Sequence, residues 1–232
     1  MTRSRPILEG DGTSERIRAA GIRLFRARGY HGTSVRALAE LVGVEAASLY
    51  HYYPSKQELL CDIFDRVMDD FLAGLEQALG SAADFDERLR SFVRFHVTFH
   101  VERQDEAFVS HSELRSLTGP NRRRINAKRD HYEAMLRAFL GEGVKAGAFD
   151  IPDVRLTTIA ILMMCSGVSD WFEERGRLSA DTVVEAYIDM VLRLTRPTGD
   201  APRGKKLPDR RPASGSTSRR HRAGNRQSRA HA

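Results

Sequence analysis

Cysteine is nearly missing from this chain: Cys61 and Cys165 are the only two in 232 residues. That excludes a disulfide scaffold and a multi-cysteine metal site. No apolar run approaches the roughly 18 residues that a membrane span needs. Met1 to Asp11 has no apolar stretch able to act as a secretory signal, so a cytoplasmic protein is expected. No alternating strand pattern and no internal repeat is visible. No nucleophile–base arrangement or phosphate-cradling loop stands out. His96, His111, Asp130 and Glu113 are the groups from which an acid–base pair could be drawn, and an enzyme is not expected.

What is present is charge, unevenly placed. The formal net charge is +6. From Arg196 to Ala232 there are 11 Lys or Arg against two acids, while the rest carries 26 basic and 29 acidic groups. Residues 196–232 are rich in Pro, Gly, Ser and Arg, so a basic disordered tail is expected. It either strengthens DNA binding through counterion release or merely solubilises the chain. The first 60 residues are also basic, with nine Lys or Arg against six acids.

Apolar residues at helical spacing predict an all-α protein of two domains. Ile17, Ala20, Leu24 and Phe25 mark a first helix that Gly29 stops. Thr33 or Ser34 caps a second helix carrying Val35, Leu38, Ala39 and Val42, and a third runs from about Glu45 to Tyr52. Ser55 and Glu58 have capping-box spacing at the start of a long helix reaching about Leu79. Further helices are expected at 84–103, 105–117, 120–146, 153–175 and 180–195. Ala39, Gly43 and Leu49 supply what a helix-turn-helix needs: a small residue, a permissive corner and an apolar anchor.

That spacing lies inside a longer pattern. Gly32-Thr33-Ser34-Val35-Arg36-Ala37-Leu38-Ala39, then Val42-Gly43-Val44, then Ser48 to Leu60, reading SLYHYYPSKQELL, resemble the TetR/AcrR family of regulators over about 45 residues. The resemblance implies a DNA-binding domain at 1–60 and a helical ligand-binding and dimerisation domain at 61–195, with the tail beyond. It implies a homodimer reading a palindromic operator in double-stranded DNA, with no cofactor or metal. On the DNA side it points to Thr33, Ser34 and Arg36 at a helix N-terminus suited to phosphate, and to Ala46, Ala47, Ser48, Tyr50 and His51 on the recognition helix. Lys56 matches the family's phosphate-binding lysine. Because the recognition helix has no Arg, Asn or Gln, specificity is expected to rest on methyl contacts, water and Arg36.

In the larger domain the resemblance is to regulators that answer acyl-CoA thioesters of fatty-acid or steroid breakdown. It rests on Glu113 to Leu117, Arg122 to Ile125, Lys128 to Asp130, Tyr132-Glu133, Gly147-Ala148-Phe149 and Gly167 to Phe172. Phe99, Phe139, Met164 and Trp171 are then expected to line an acyl tunnel, with Arg115, Arg122, Arg123 and Arg129 on the phosphates. Those arginines also read as a solvated face paired with Glu113, Asp130 and Glu133. His96 and His100, at i and i+4, have the spacing of metal ligands but lack a third partner at a telling distance. Ile159, Leu162, Met163, Val184, Tyr187, Ile188, Val191 and Leu192 offer an apolar dimer face. A repressor released by its effector is the expected mode. A sensor of hydrophobic drugs controlling efflux, and an architectural DNA-binding protein without effector, stay open.

Overall fold

The computed structural model describes residues 10–80 and 84–196; the basic tail beyond Arg196 lies outside the described residues. The described residues contain helices and no strand. They run α1 (Gly10–Arg28), α2 (Val35–Val42), α3 (Ala46–Tyr52), α4 (Lys56–Leu79), α5 (Phe85–Glu102), α6 (Gln104–Ser112), a 3-10 turn (Leu114–Ser116), α7 (Gly119–Lys145), α8 (Val154–Ser166), α9 (Val168–Trp171) and α10 (Ala180–Thr195).

The first two helices end where the backbone is forced to turn. Gly29 and Gly43 adopt φ of 72° and 77°, the left-handed region that only glycine enters without steric cost. At Gly43 the amide bonds back to Ala39 and Glu40, closing α2 and aiming α3 across it. The Ser34 side chain caps α2, and Ser55 caps α4 by accepting from the Glu58 amide. The capping box is only half made, because the Glu58 carboxylate accepts from Asn121 Nδ2 at 2.8 Å.

Two apolar clusters divide the core. One joins Ile17, Phe25, Leu38, Leu49, Leu59, Leu60, Ile63 and Phe64 to Val109, Leu117 and Ile125 from much later in the chain. The other gathers Val67, Phe71 and Leu75 with the inner faces of α5, α7, α8 and α10. The expected boundary after residue 60 falls inside α4, which is buried in both clusters. At about 1.5 Å per residue α4 is roughly 36 Å of continuous rod. α5 is the centre of the larger cluster, packed by α4, α8, α9 and α10.

Three expectations need correction. The single helix expected over 153–175 turns at Gly167, and α9 stops at Trp171. Gln104 Nε2 donates to the Ser169 and Phe172 carbonyls at 2.9 and 2.7 Å, satisfying acceptors that a longer helix would use internally. The helix expected over 105–117 ends at Ser112, and Leu117 drops fully buried into the N-terminal cluster. Of the apolar dimer face, Val184, Tyr187, Ile188, Val191 and Leu192 are buried in their own core. Ile159 and Leu162 of that face are half-buried and Met163 is exposed, joined by Leu156, Met190 and Leu194 as the large exposed apolar residues of α8 and α10.

Helix α7 closes with Gly147 at φ 74°, and Phe149 N donates to the Gly143 carbonyl at 3.2 Å, laying the Phe149 ring on Gly143. Replacing a helical glycine by alanine ordinarily gains about 1 kcal/mol. Here the new Cβ would lie 2.1 Å from Phe149 Cδ2. Gly143→Ala is expected to destabilise by about 2 kcal/mol in urea unfolding, the range of an overpacked core; a stabilised variant would contradict the packing.

Candidate functional site

The outer face of α2 and α3 carries a compact polar surface. Arg36, Ala47, Tyr50 and His51 are exposed, and Tyr50 keeps 51 % of its surface in water. Ala46 and Ser48 are half-buried at the edge of the same face. Arg36 pairs with Glu40 at 3.2 Å, both largely in solvent, a contact worth little that a phosphate can replace. Leu49 is buried on the opposite side and fixes the roll of α3. Tyr53 is buried too, its hydroxyl donating to Asp62 Oδ2 at 2.8 Å.

Behind this face, the first turn of α4 holds the α1–α2 link. Lys56 Nζ donates to the carbonyls of Tyr30 (2.8 Å) and Thr33 (2.7 Å) and sits 4.2 Å over the Tyr30 ring. Burial pushes its pKa down. Gln57 bridges further: Nε2 donates to Tyr30 Oη (2.9 Å) and to the Ser116 carbonyl (2.7 Å), while Oε1 accepts from the Thr118 amide (3.1 Å). With Asn121 on Glu58, this ties the start of α7 to the start of α4.

A cavity of about 180 Å³ lies in the larger bundle, walled by α4 through α8. Phe71, Phe99, His96, His100, His111, Ser110, Arg129, Tyr132 and Ser166 are on its lining. The three imidazoles form a ladder, His96 on His100 at 4.5 Å and His100 on His111 at 5.4 Å between centroids. His96 bonds Tyr132 Oη through Nδ1 (2.6 Å) and Ser166 Oγ through Nε2 (3.1 Å). A neutral ring, with one donor and one acceptor nitrogen, satisfies both. His100 Nδ1 donates to the His96 carbonyl at 2.9 Å. Burial first, then the neighbouring rings, pushes the His96 pKa well below its ordinary value. Burial lowers His100 to about 4 and His111 to about 3, with the Arg129 charge acting in the same direction on both. All three rings are uncharged at neutral pH.

Two family models match the chain. "Bacterial regulatory proteins, tetR family" covers residues 17–63, and "Tetracyclin repressor-like, C-terminal domain" covers 82–195. The chain belongs to the TetR family. It is therefore a DNA-binding transcription regulator and not an enzyme. It is 26 % identical over 172 residues to the transcriptional repressor KstR2 of Rhodococcus jostii, spanning 73 % of this chain and 84 % of that one. The crystal structure of PfmR, a TetR-family regulator of Thermus thermophilus, superposes with TM-score 0.70 at 36 % identity, over 77 % of this chain and 97 % of PfmR. AibR, solved with isovaleryl coenzyme A and operator DNA, gives TM-score 0.72 at 27 % identity over 77 % and 97 %.

Within this TetR-family frame several expected site residues move. Thr33 is buried, its hydroxyl donating to Gly29 and Leu24 carbonyls and its amide to Tyr30, so it faces the core and not a phosphate. Lys56 spends two of its three N–H donors on the fold, leaving one for a phosphate. Of the expected ligand contacts, the cavity takes Phe99 and Arg129. Phe139 packs instead with Phe85 and Phe149, and Met164 against the main core. Trp171 stacks over Tyr187 with 47 % of its surface exposed. Arg115 lies beside Gly29 and Tyr30, at the DNA-reading end, and Arg122 and Arg123 are exposed on the first turns of α7. The spacing of His96 and His100 serves a stacked ladder, and among the described residues no cluster of three ligands could hold a metal.

Gln57, Ser110 and Asn121 escaped the sequence reading. Unfolded histidines take up protons below about pH 6.5, whereas His100 and His111 resist until about 4 and about 3. The unfolded chain thus binds more protons, and stability present above pH 6.5 is lost as pH falls toward 4. The slope is up to about 1.4 kcal/mol per pH unit for each ring. Thermal unfolding should show the melting temperature falling from pH 6.5 to 5, with a shallower fall for His111→Gln. Equal slopes for the two proteins would refute the neutral ladder.

Proposed function

We propose that this regulator is a homodimeric repressor whose operator affinity is lowered by a small acyl-CoA thioester seated in the cavity. The observation that carries this reading is that the helices walling the cavity also complete the DNA-binding core. α6 places Ser110 and His111 on the cavity and Val109 in the N-terminal cluster. α7 places Arg129 and Tyr132 on the cavity, Ile125 in that cluster, and Asn121 on Glu58. A ligand that displaces either helix therefore changes the support of α1 to α3.

The printed names of the relatives point the same way: KstR2 is called a repressor, and AibR was crystallised with an acyl-CoA and its operator. On this reading residues 1–60 bind DNA and 61–195 bind ligand and the second copy. Leu156, Met163, Met190 and Leu194 are the exposed apolar face that a second copy covers. Two recognition helices then meet half-sites about 34–36 Å apart on a palindrome. Ser34, Arg36, Tyr50, His51 and the spare donor of Lys56 take phosphates, while Ala46, Ala47 and Ser48 lie against base edges. Arg122 and Arg123, exposed at the start of α7, are offered to the coenzyme's phosphates on this reading. Asp130 and Glu133, also on the cavity, favour a cationic drug as the second reading, although Glu133 is already paired with Arg137 at 3.2 Å.

Titrating the protein on DNA from upstream of its own gene, with and without a panel of acyl-CoA thioesters, tests the proposal. Release by a thioester, and not by coenzyme A or the free acid, is expected. An effector with that preference weakens operator binding by about 5- to 150-fold. Operator binding that no thioester disturbs, but a lipophilic cation does, would transfer the cavity to the second reading.

A further inference from the structure

The cavity sets several polar groups, Ser110, His100 and Arg129, among apolar walls. An apolar cavity of about 150 Å³ takes a benzene ring, so about 180 Å³ holds a group of roughly eight non-hydrogen atoms.

Three groups on the lining are chemically unspent. Ser110 is 4 % exposed, and its hydroxyl has no hydrogen-bond partner. A buried hydroxyl left so is unfavourable, because nothing replaces the water it gave up. Arg129 reaches the same cavity half-buried, with no ion pair within 4 Å among the described residues. Asp130 lies near enough to favour its charge but forms no ion pair with it, and Glu133 is engaged by Arg137. His100 has its Nδ1 proton on the His96 carbonyl, which leaves Nε2 as an acceptor in the neutral ring. By contrast, Arg103, Arg124 and Arg137 on the surrounding helices are paired, with Asp70, Asp65 and Glu133.

We propose that the cavity recognises the carboxylate at the far end of a short dicarboxylic acyl group, with the Arg129 guanidinium and the Ser110 hydroxyl as its donors. Arg129 offers the planar fork that matches a carboxylate, and Ser110 gains the partner it lacks. The walls behind them, Phe71 and Phe99, cover the methylenes. A long-chain or purely aliphatic acyl group leaves Arg129 and Ser110 unsatisfied, and such sites discriminate steeply against ligands lacking the matching polar group. This inference rests on the thioester reading above for the rest of the ligand, but its own claim concerns only the acyl end.

The test measures binding by calorimetry to the full-length protein. The probes are glutaryl-CoA, 5-methylhexanoyl-CoA (the same skeleton with the two carboxylate oxygens replaced by methyl groups), hexadecanoyl-CoA, coenzyme A and free glutarate. Glutaryl-CoA should bind at least tenfold tighter than 5-methylhexanoyl-CoA. In Arg129→Gln that preference should collapse, with thermal unfolding of the variant reporting that the fold is kept. Ser110→Ala should reduce the preference by a smaller factor. Binding by free glutarate, sensitive to Arg129→Gln but without any gain from the coenzyme, would sink the thioester reading and keep the carboxylate site. Equal binding of the two isosteric thioesters, preference for hexadecanoyl-CoA, or a preference that survives Arg129→Gln would overturn the inference.

Discussion

Helix α4 is buried at both of its halves in different cores. Leu59, Leu60, Ile63 and Phe64 complete the cluster under the recognition helix, and Val67, Met68, Phe71 and Leu75 enter the larger bundle. The rod has no glycine until Gly74 and no proline, so its ends move together. Its first turn adds Lys56, Gln57 and Glu58, each bonded across to another element. A capped, doubly buried helix is the mechanical frame on which both halves hang. The DNA-reading face is therefore not an independent module tied on by a linker.

That frame explains why a polar cavity is tolerated in the bundle. Burying imidazoles costs little when they stay neutral and hydrogen-bonded, and His96 is satisfied on both nitrogens. Around it the ring ladder and Phe71, which touches His96, His100 and Tyr132 edge-on, give a rigid aromatic wall. The less satisfied groups, Ser110 and Arg129, stand on α6 and α7. Both of those helices also reach the N-terminal core. Ligand preference and operator support thus share elements, which is the physical requirement for coupling two sites.

Much of this was legible in the chain itself. Gly29 and Gly43 announced their turns because no other residue takes those angles cheaply, and Ser34 and Ser55 announced caps by position. The helix-turn-helix is a local structure, so local spacing specified it. The cavity is not local. Phe99, Phe139, Met164 and Trp171 all look like pocket walls in a list of apolar residues, yet only tertiary packing places Phe99 there and sends Phe139 to Phe85. Likewise Gln57 reads as a surface residue on a polar first turn, and nothing nearby in sequence announces Ser116 and Thr118 as its partners. Thr33 looked like a phosphate ligand because it stands at a helix N-terminus. Its neighbour Ser34 is the cap, and that single-residue offset turns Thr33 inward. The end of α9 was missed for the same reason, since the stop is written in Gln104, on another helix.

The central claim is that occupancy of the cavity reaches the recognition helix through the α4–α7 tie. A double-mutant cycle on operator affinity tests it without any ligand, using Ser110→Leu to fill the cavity and Gln57→Leu to cut the tie. The account predicts that Ser110→Leu shifts operator affinity at least fivefold in the parent chain and by less than twofold when Gln57 is already replaced. Effects that simply add, or a filled cavity that leaves operator affinity unchanged in both backgrounds, would contradict it.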